Sequence, residues 1–198
     1  MNFQDQLLFF FSALGAFNGL FLSFYFAFFI KNKSRATYFL AALLFVISVR
    51  VTKSVFLTFY PGTSSTFIQI GLTACLLIGP FLYLYTRIAI RPDRVGKWRW
   101  MLHVLPVIIA MIIIGYLYPY RTYWRMWQRV PPNVFGVTLT FQWSVYVIAA
   151  IYEARKSFQK LFSKTKKMTT LDYWVVNIVI GGFLIWLAYN TSSYTSYI

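Results

Sequence analysis

Acidic residues are what this sequence has least of. Asp5, Asp93, Glu153 and Asp172 are its only carboxylates, set against nineteen lysines and arginines, and charged residues fill just 12% of 198 positions. A soluble domain carries about 25% charged residues; at half that share its surface would be one broad apolar patch. Four scattered acids offer no paired-carboxylate site, and none lies within an apolar run where a cation or proton path would need it. His103 is the sole histidine and Cys75 the sole cysteine. The first rules out a multi-histidine metal site, and the second an intrachain disulfide. A nucleophile–base pair and a phosphate-cradling glycine loop are missing too, so the sequence supports neither an enzyme nor a bound cofactor.

Apolar residues are abundant: 59% of the chain is hydrophobic and 22% aromatic. They fall into six runs, at 7–30, 37–60, 66–90, 100–118, 135–152 and 173–189. A helix crosses a bilayer with about 20 mostly apolar residues. The first run is too long for a signal-peptide core and has no basic residue before it, so it is read as a retained helix. Strands are excluded, because the runs are about twice the length of a barrel strand and lack strict alternation. The expected fold is all-α: one polytopic transmembrane bundle of about six helices spanning residues 1–198, with the lipid bilayer as its main partner.

The net charge of +15 sits in short clusters between these runs. That is the pattern of membrane topology signals rather than of a nucleic-acid-binding face. The first–second, third–fourth and fifth–sixth connections collect fourteen cations, and the fourth–fifth collects three, Arg121, Arg125 and Arg129. The positive-inside rule then places the N-terminus outside. Six crossings return the C-terminus to the same side. The chain stops there, directly after a membrane helix and without a polar tail, so a longer protein is expected.

Apart from Arg87, which closes the third run and is counted with the third–fourth connection, only Arg50 and Lys53 lie within an apolar run. Three residues apart, they share a helix face, and a charge at mid-span costs about 2.5–3.5 kcal/mol on insertion scales. Two readings stand open. One is a pocket facing outward, completed by Gln69 and Gln142, that binds an anionic or polar small-molecule signal. In the other, both side chains snorkel to the outer headgroups. Gly79, Pro80 and Pro106 are candidate hinges, since a helix-interior proline removes a backbone hydrogen bond. In the fourth–fifth connection, Tyr120, Tyr123, Trp124 and Trp127 follow helical spacing, with Arg121 and Arg125 on another face. This predicts a short amphipathic helix in the outer interface, with Trp124, Arg125 and Trp127 as its contact residues, acting as a lid or as an ordinary aromatic belt. The cations between Glu153 and Thr170 are expected to lie in a loop against anionic lipid. His103 reads as a polar residue near a helix end.

Several stretches occur together in a fixed order: Asn18-Gly19-Leu20, the run from Arg35 to Lys53, Ile78-Gly79-Pro80-Phe81-Leu82-Tyr83, Leu102-His103-Val104-Leu105-Pro106, and the run from Trp174 to Tyr189. This order resembles the membrane-embedded N-terminal region of AraC-type transcription regulators of Gram-negative bacteria. The resemblance covers nearly the whole chain. It implies a seven-helix module in the bacterial inner membrane, followed by a cytoplasmic domain with two helix-turn-helix motifs. On that reading the chain holds six of the seven helices. It would act as a sensory or anchoring module, make no direct nucleic-acid contact itself, and admit a homodimer. The rival readings are the sensory module of a membrane kinase, a small transporter or channel component, and a purely structural anchor.

Overall fold

A computed structural model describes residues 3–31, 33–60, 62–92, 96, 98–127, 134–163 and 167–194. Its elements are α1 (Phe3–Phe24), which continues as a π-helical turn (Tyr25–Phe29), α2 (Arg35–Phe59), α3 (Ser65–Ile90), α4 (Met101–Leu117), α5 (Tyr120–Trp127), α6 (Val134–Phe162) and α7 (Thr170–Tyr194). The described residues contain no strand. Five helices are long and apolar enough to cross a membrane, or six if the bent pair α4–α5 is counted as one span. The chain is therefore an all-α membrane bundle.

Helices α2 and α7 start where side chains take up the unpaired N–H groups of a first turn. Ser34 Oγ accepts from Thr37 N at 3.2 Å at the start of α2. At α7, Thr169 N donates to Asp172 Oδ2 at 3.0 Å and Asp172 N to Thr169 Oγ1 at 3.2 Å, a reciprocal cap. That cap begins α7 three residues before the apolar run does.

Paired contacts set the topology. Phe9 meets Phe59 with ring centroids 5.2 Å apart, and Ser23 Oγ donates to Ala41 O at 2.8 Å, so α1 and α2 run antiparallel. Their approach is close because small residues line it: a Cβ on Gly19 would collide with Ser48 Oγ. Gln69 reaches Gly115 at one end of the α3–α4 pair, and Tyr83 packs on His103 at the other, 5.1 Å between centroids. Although α4 has only 17 residues, about 25 Å, it thus runs back along α3. The α6–α7 pair is joined by Ser157 to Asp172 at one end and by Trp143 to Tyr189 at the other.

These pairings gather the basic connections at one end of the bundle. Arg35 Nη2 donates to Pro92 O at 3.0 Å, and Arg87 and Arg91 meet Glu153 at 3.9 and 3.5 Å. The arginines of α5 lie at the opposite end. At the centre is α3, packed against α2, α4, α5, α6 and α7. Its Ile78 and Leu82 are fully buried, with Leu139 and Trp143 of α6 and Val175 and Val179 of α7.

Two boundaries differ from those expected. The fifth apolar run ends at residue 152, yet α6 continues to Phe162. Ala154 and Ser157 are buried in that extension and Phe158 packs on the core, so a charged stretch remains helical because one face is covered. The connection expected over 153–170 is accordingly short. Helices α3 and α4 run unbroken through Pro80 and Pro106.

Candidate functional site

Arg50 points into the bundle. Its guanidinium carbon stands 4.7 Å from the ring centre of Tyr189 on α7, and Nη1 donates to Cys75 Sγ on α3 at 3.6 Å. Cys75 Sγ in turn donates to Gly71 O at 3.4 Å. Tyr189 packs on Trp143 of α6, 5.6 Å between centroids. One cation therefore touches α2, α3 and α7, with α6 directly behind. Among the described residues no carboxylate stands beside it; its neighbours are a thiol and an aromatic face. Lys53, one turn further along, is only 8% exposed. Its stem lies on Gly71, where any Cβ would collide with it. The bundle thus buries the Lys53 side chain.

The two glutamines do something the sequence did not announce. Proline lacks an N–H, so it frees the carbonyl four residues before it. For Pro80 that carbonyl belongs to Leu76, and Gln142 Nε2 donates to it across the α3–α6 interface at 2.9 Å. Gly115 lies in the last turn of α4, where carbonyls have no helical donor, and Gln69 Nε2 donates to it at 2.9 Å. Gln69 Oε1 also accepts from Tyr120 N at 2.9 Å, so one amide grips both sides of the 118° turn between α4 and α5. Membrane helices tolerate proline where neighbours satisfy the freed groups in this way. Hence Arg50 and Lys53 sit together as the spacing implied, while Gln69 and Gln142 spend their amides on backbone.

Two buried polar atoms close to Arg50's neighbours have no hydrogen-bond partner among the described residues: Trp143 Nε1 and Gln142 Oε1. Trp143 is completely buried. An unpaired buried N–H costs about 1–3 kcal/mol, so this wall of the bundle holds unused hydrogen-bonding capacity.

The expected short amphipathic helix is present as α5, with a non-helical break at Tyr123. Its aromatic residues part company. Trp124 is exposed, with Arg125 5.5 Å from its ring centre. Trp127 is buried instead: it lies 4.5 Å from Phe135 and donates Nε1 to Tyr118 O at 2.8 Å, locking α5 onto the bundle. Arg129 and Pro131-Pro132 lie outside the described residues.

Compared with protein-family models, curated proteins and solved structures, the chain finds no match.

At the basic end the structure adds a network that sequence reasoning missed. His103 Nδ1 lies 3.3 Å from Tyr146 Oη, and the His103 and Tyr83 rings pack together. Arg87 donates to Tyr83 Oη, and Glu153 lies between Arg87 and Arg91. His103 therefore has polar neighbours from α3 and α6. Glu153, an acid alone in a basic stretch, was the one available signal.

Two concave sites lie apart from Arg50. A 140 Å³ cavity beneath α5 is bounded by Leu76, Trp127 and Phe135. A groove of about 430 Å³ opens at the basic end between α2, α3 and α7. None of Arg50, Lys53, Gln69 or Gln142 lines either.

Proposed function

We propose that this chain is the membrane-embedded sensory module of a bacterial transcription regulator, and that an anionic or polar signal acts on it through Arg50. The supporting observation is the company Arg50 keeps. An ionisable side chain inside a membrane bundle marks a functional site by default. Here the guanidinium has a neutral thiol and a tyrosine face as neighbours. A charge-assisted bond to an anion is about twice as strong as a neutral one, so such a ligand would outcompete both.

Drawing Arg50 from Tyr189 would loosen α2 from α7. A signal acts only through a difference in affinity between two packings, and a cation that can choose between a π face and an anion provides one. The order of motifs shared with AraC-type regulators supplies the output, a cytoplasmic DNA-binding domain. With loops placed by the positive-inside rule, the module sits in the inner membrane with its N-terminus outside.

The test has two parts. The gene should continue past codon 198 into a helix-turn-helix domain; a stop codon there would remove the regulator reading. In the full-length protein, Arg50→Gln should abolish the signal dependence of a promoter fusion while insertion stays normal. The Arg50–Tyr189 contact also suits a second reading, a structural latch in a passive anchor. In that case an unrelated bundle of equal topology would preserve regulation.

A further inference from the structure

We propose that the groove at the basic end is a binding site for one anionic phospholipid, drawn from the leaflet on that side. Its apolar wall is formed by Phe26, Leu40, Ile88 and Trp174, contributed by four different elements. At about 430 Å³ it is the size of a small-molecule site and too narrow for a partner helix. Leu171 and Trp174 among its lining residues are about half exposed, apolar surface that an acyl chain could cover.

The mouth has the opposite character. Ser34, Arg35 and Thr37 line it, at the first turn of α2. Ser34 Oγ already takes the Thr37 N–H, while the amides of Arg35 and Ala36 belong to the turn whose N–H groups have no helical acceptor. The positive end of the helix and a guanidinium thus meet at one place, a favourable setting for phosphate. The bond from Arg35 Nη2 to Pro92 O holds that guanidinium at the groove's edge. Asp172, the nearest described acid in sequence to the Leu171 rim, has its carboxylate taken by Ser157, Lys160 and Thr169.

The observation independent of the helix end is Tyr85. It lines the groove and is only 5% exposed as a residue, and none of the hydrogen bonds among the described residues uses its hydroxyl, which is open to the groove rather than sealed in the core. Tyrosine hydroxyls in such half-apolar settings usually find a partner. A phospholipid would supply it through its ester or phosphate oxygens while its acyl chain covers the apolar wall. Where the basic connections face the cytoplasm, that leaflet is rich in anionic lipid.

The test uses the intact chain in detergent, with native mass spectrometry counting bound lipid. The probes are phosphatidylglycerol and phosphatidylcholine with identical acyl chains, and inorganic phosphate as competitor. Phosphatidylglycerol should be retained about tenfold better than phosphatidylcholine, the preference one charged contact provides. Arg35→Gln should erase that preference, Tyr85→Phe should weaken retention of both lipids, and Ala89→Phe, which fills the groove, should abolish it. Unfolding of Ala89→Phe would leave the other two variants to decide. Phosphate should not displace the lipid; complete displacement would mean a bare anion site and overturn the proposal. Unchanged preference in Arg35→Gln, with loss instead in Lys156→Gln on α6, would overturn it by showing diffuse surface charge. Signalling through Arg50 is a separate matter and can fail without affecting these outcomes.

Discussion

Gln142 donates its side-chain amide to the carbonyl of Leu76 at 2.9 Å, and Leu76 stands four residues before Pro80. The hydrogen bond that proline removed from α3 is therefore restored from α6. Gln69 does the same for a helix end, donating to the Gly115 carbonyl in the last turn of α4. Each glutamine would read as an isolated polar residue in an apolar helix. Each instead serves a backbone carbonyl that its own helix leaves unpaired.

This makes a prediction about coupling. Gln142→Leu should destabilise the bundle by about 1 kcal/mol, near the upper part of the range for interhelical hydrogen bonds in membranes. In a Pro80→Ala background the alanine N–H can take the Leu76 carbonyl itself, so the same substitution should cost much less. A double-mutant cycle of reversible unfolding in mixed micelles measures the difference. Strict additivity would disprove the pairing.

At the other glutamine the readout is local. Gln69→Leu removes the acceptor of the Tyr120 amide and the donor to Gly115. Amide exchange at Tyr120 and its neighbours should accelerate at least about fivefold, corresponding to loss of about 1 kcal/mol of local protection. Exchange in the middle of α3 should stay as it was. Unaltered exchange at Tyr120 would mean that Trp127 alone holds the turn.

Arg50 and Tyr189 should show a measurable bond in the absence of signal. A cation over an aromatic face is worth about 0.5–2 kcal/mol, depending on desolvation. The coupling energy between Arg50→Gln and Tyr189→Leu should fall in that range, and Tyr189→Phe should retain most of it, because the ring rather than the hydroxyl makes the contact. Zero coupling would leave α2 and α7 unconnected through this pair.

Asp172 joins the extended end of α6 to the start of α7, accepting from Ser157 and Lys160 at 2.7 Å and from the Thr169 backbone at 3.0 Å. Asp172→Ala strands these donors and should cost about 1–3 kcal/mol. Thr169→Ala removes the cap and one hydroxyl donor to the carboxylate but keeps the Ser157 and Lys160 bonds, and should cost about 1 kcal/mol. Lys160→Ala should cost least, since its side chain is 32% exposed and a solvated ion pair contributes little. Thermal unfolding of the three variants gives the ranking, and a larger loss for Lys160→Ala than for Asp172→Ala would contradict it.

Much of the fold was legible in the residues alone. Hydrophobic runs of membrane length, interrupted by cations, announce helices in a bilayer because backbone polar groups in hydrocarbon must bond within their own segment. That rule is local, so helix number and the amphipathic α5 could be read directly. Helix ends were less legible where apolarity and helicity diverge. The last ten residues of α6 are charged but covered on one face, and α7 opens on a cap rather than on a hydrophobic residue.

The site was legible only in part. By itself the sequence determined that Arg50 and Lys53 share a face within an apolar helix, and that a proline inside a helix, such as Pro80, must leave a carbonyl without its partner. Only the tertiary structure decided who answers them. Gln142 and Leu76 are 66 residues apart, and Gln69 and Gly115 are 46 apart. Which helix faces which is set by the packing of whole surfaces around α3, something no local pattern carries. The same packing put an aromatic ring, rather than an acid, over Arg50. In hydrocarbon a polar group must find its partner inside the protein, and the assembled bundle determines which side chain is within reach.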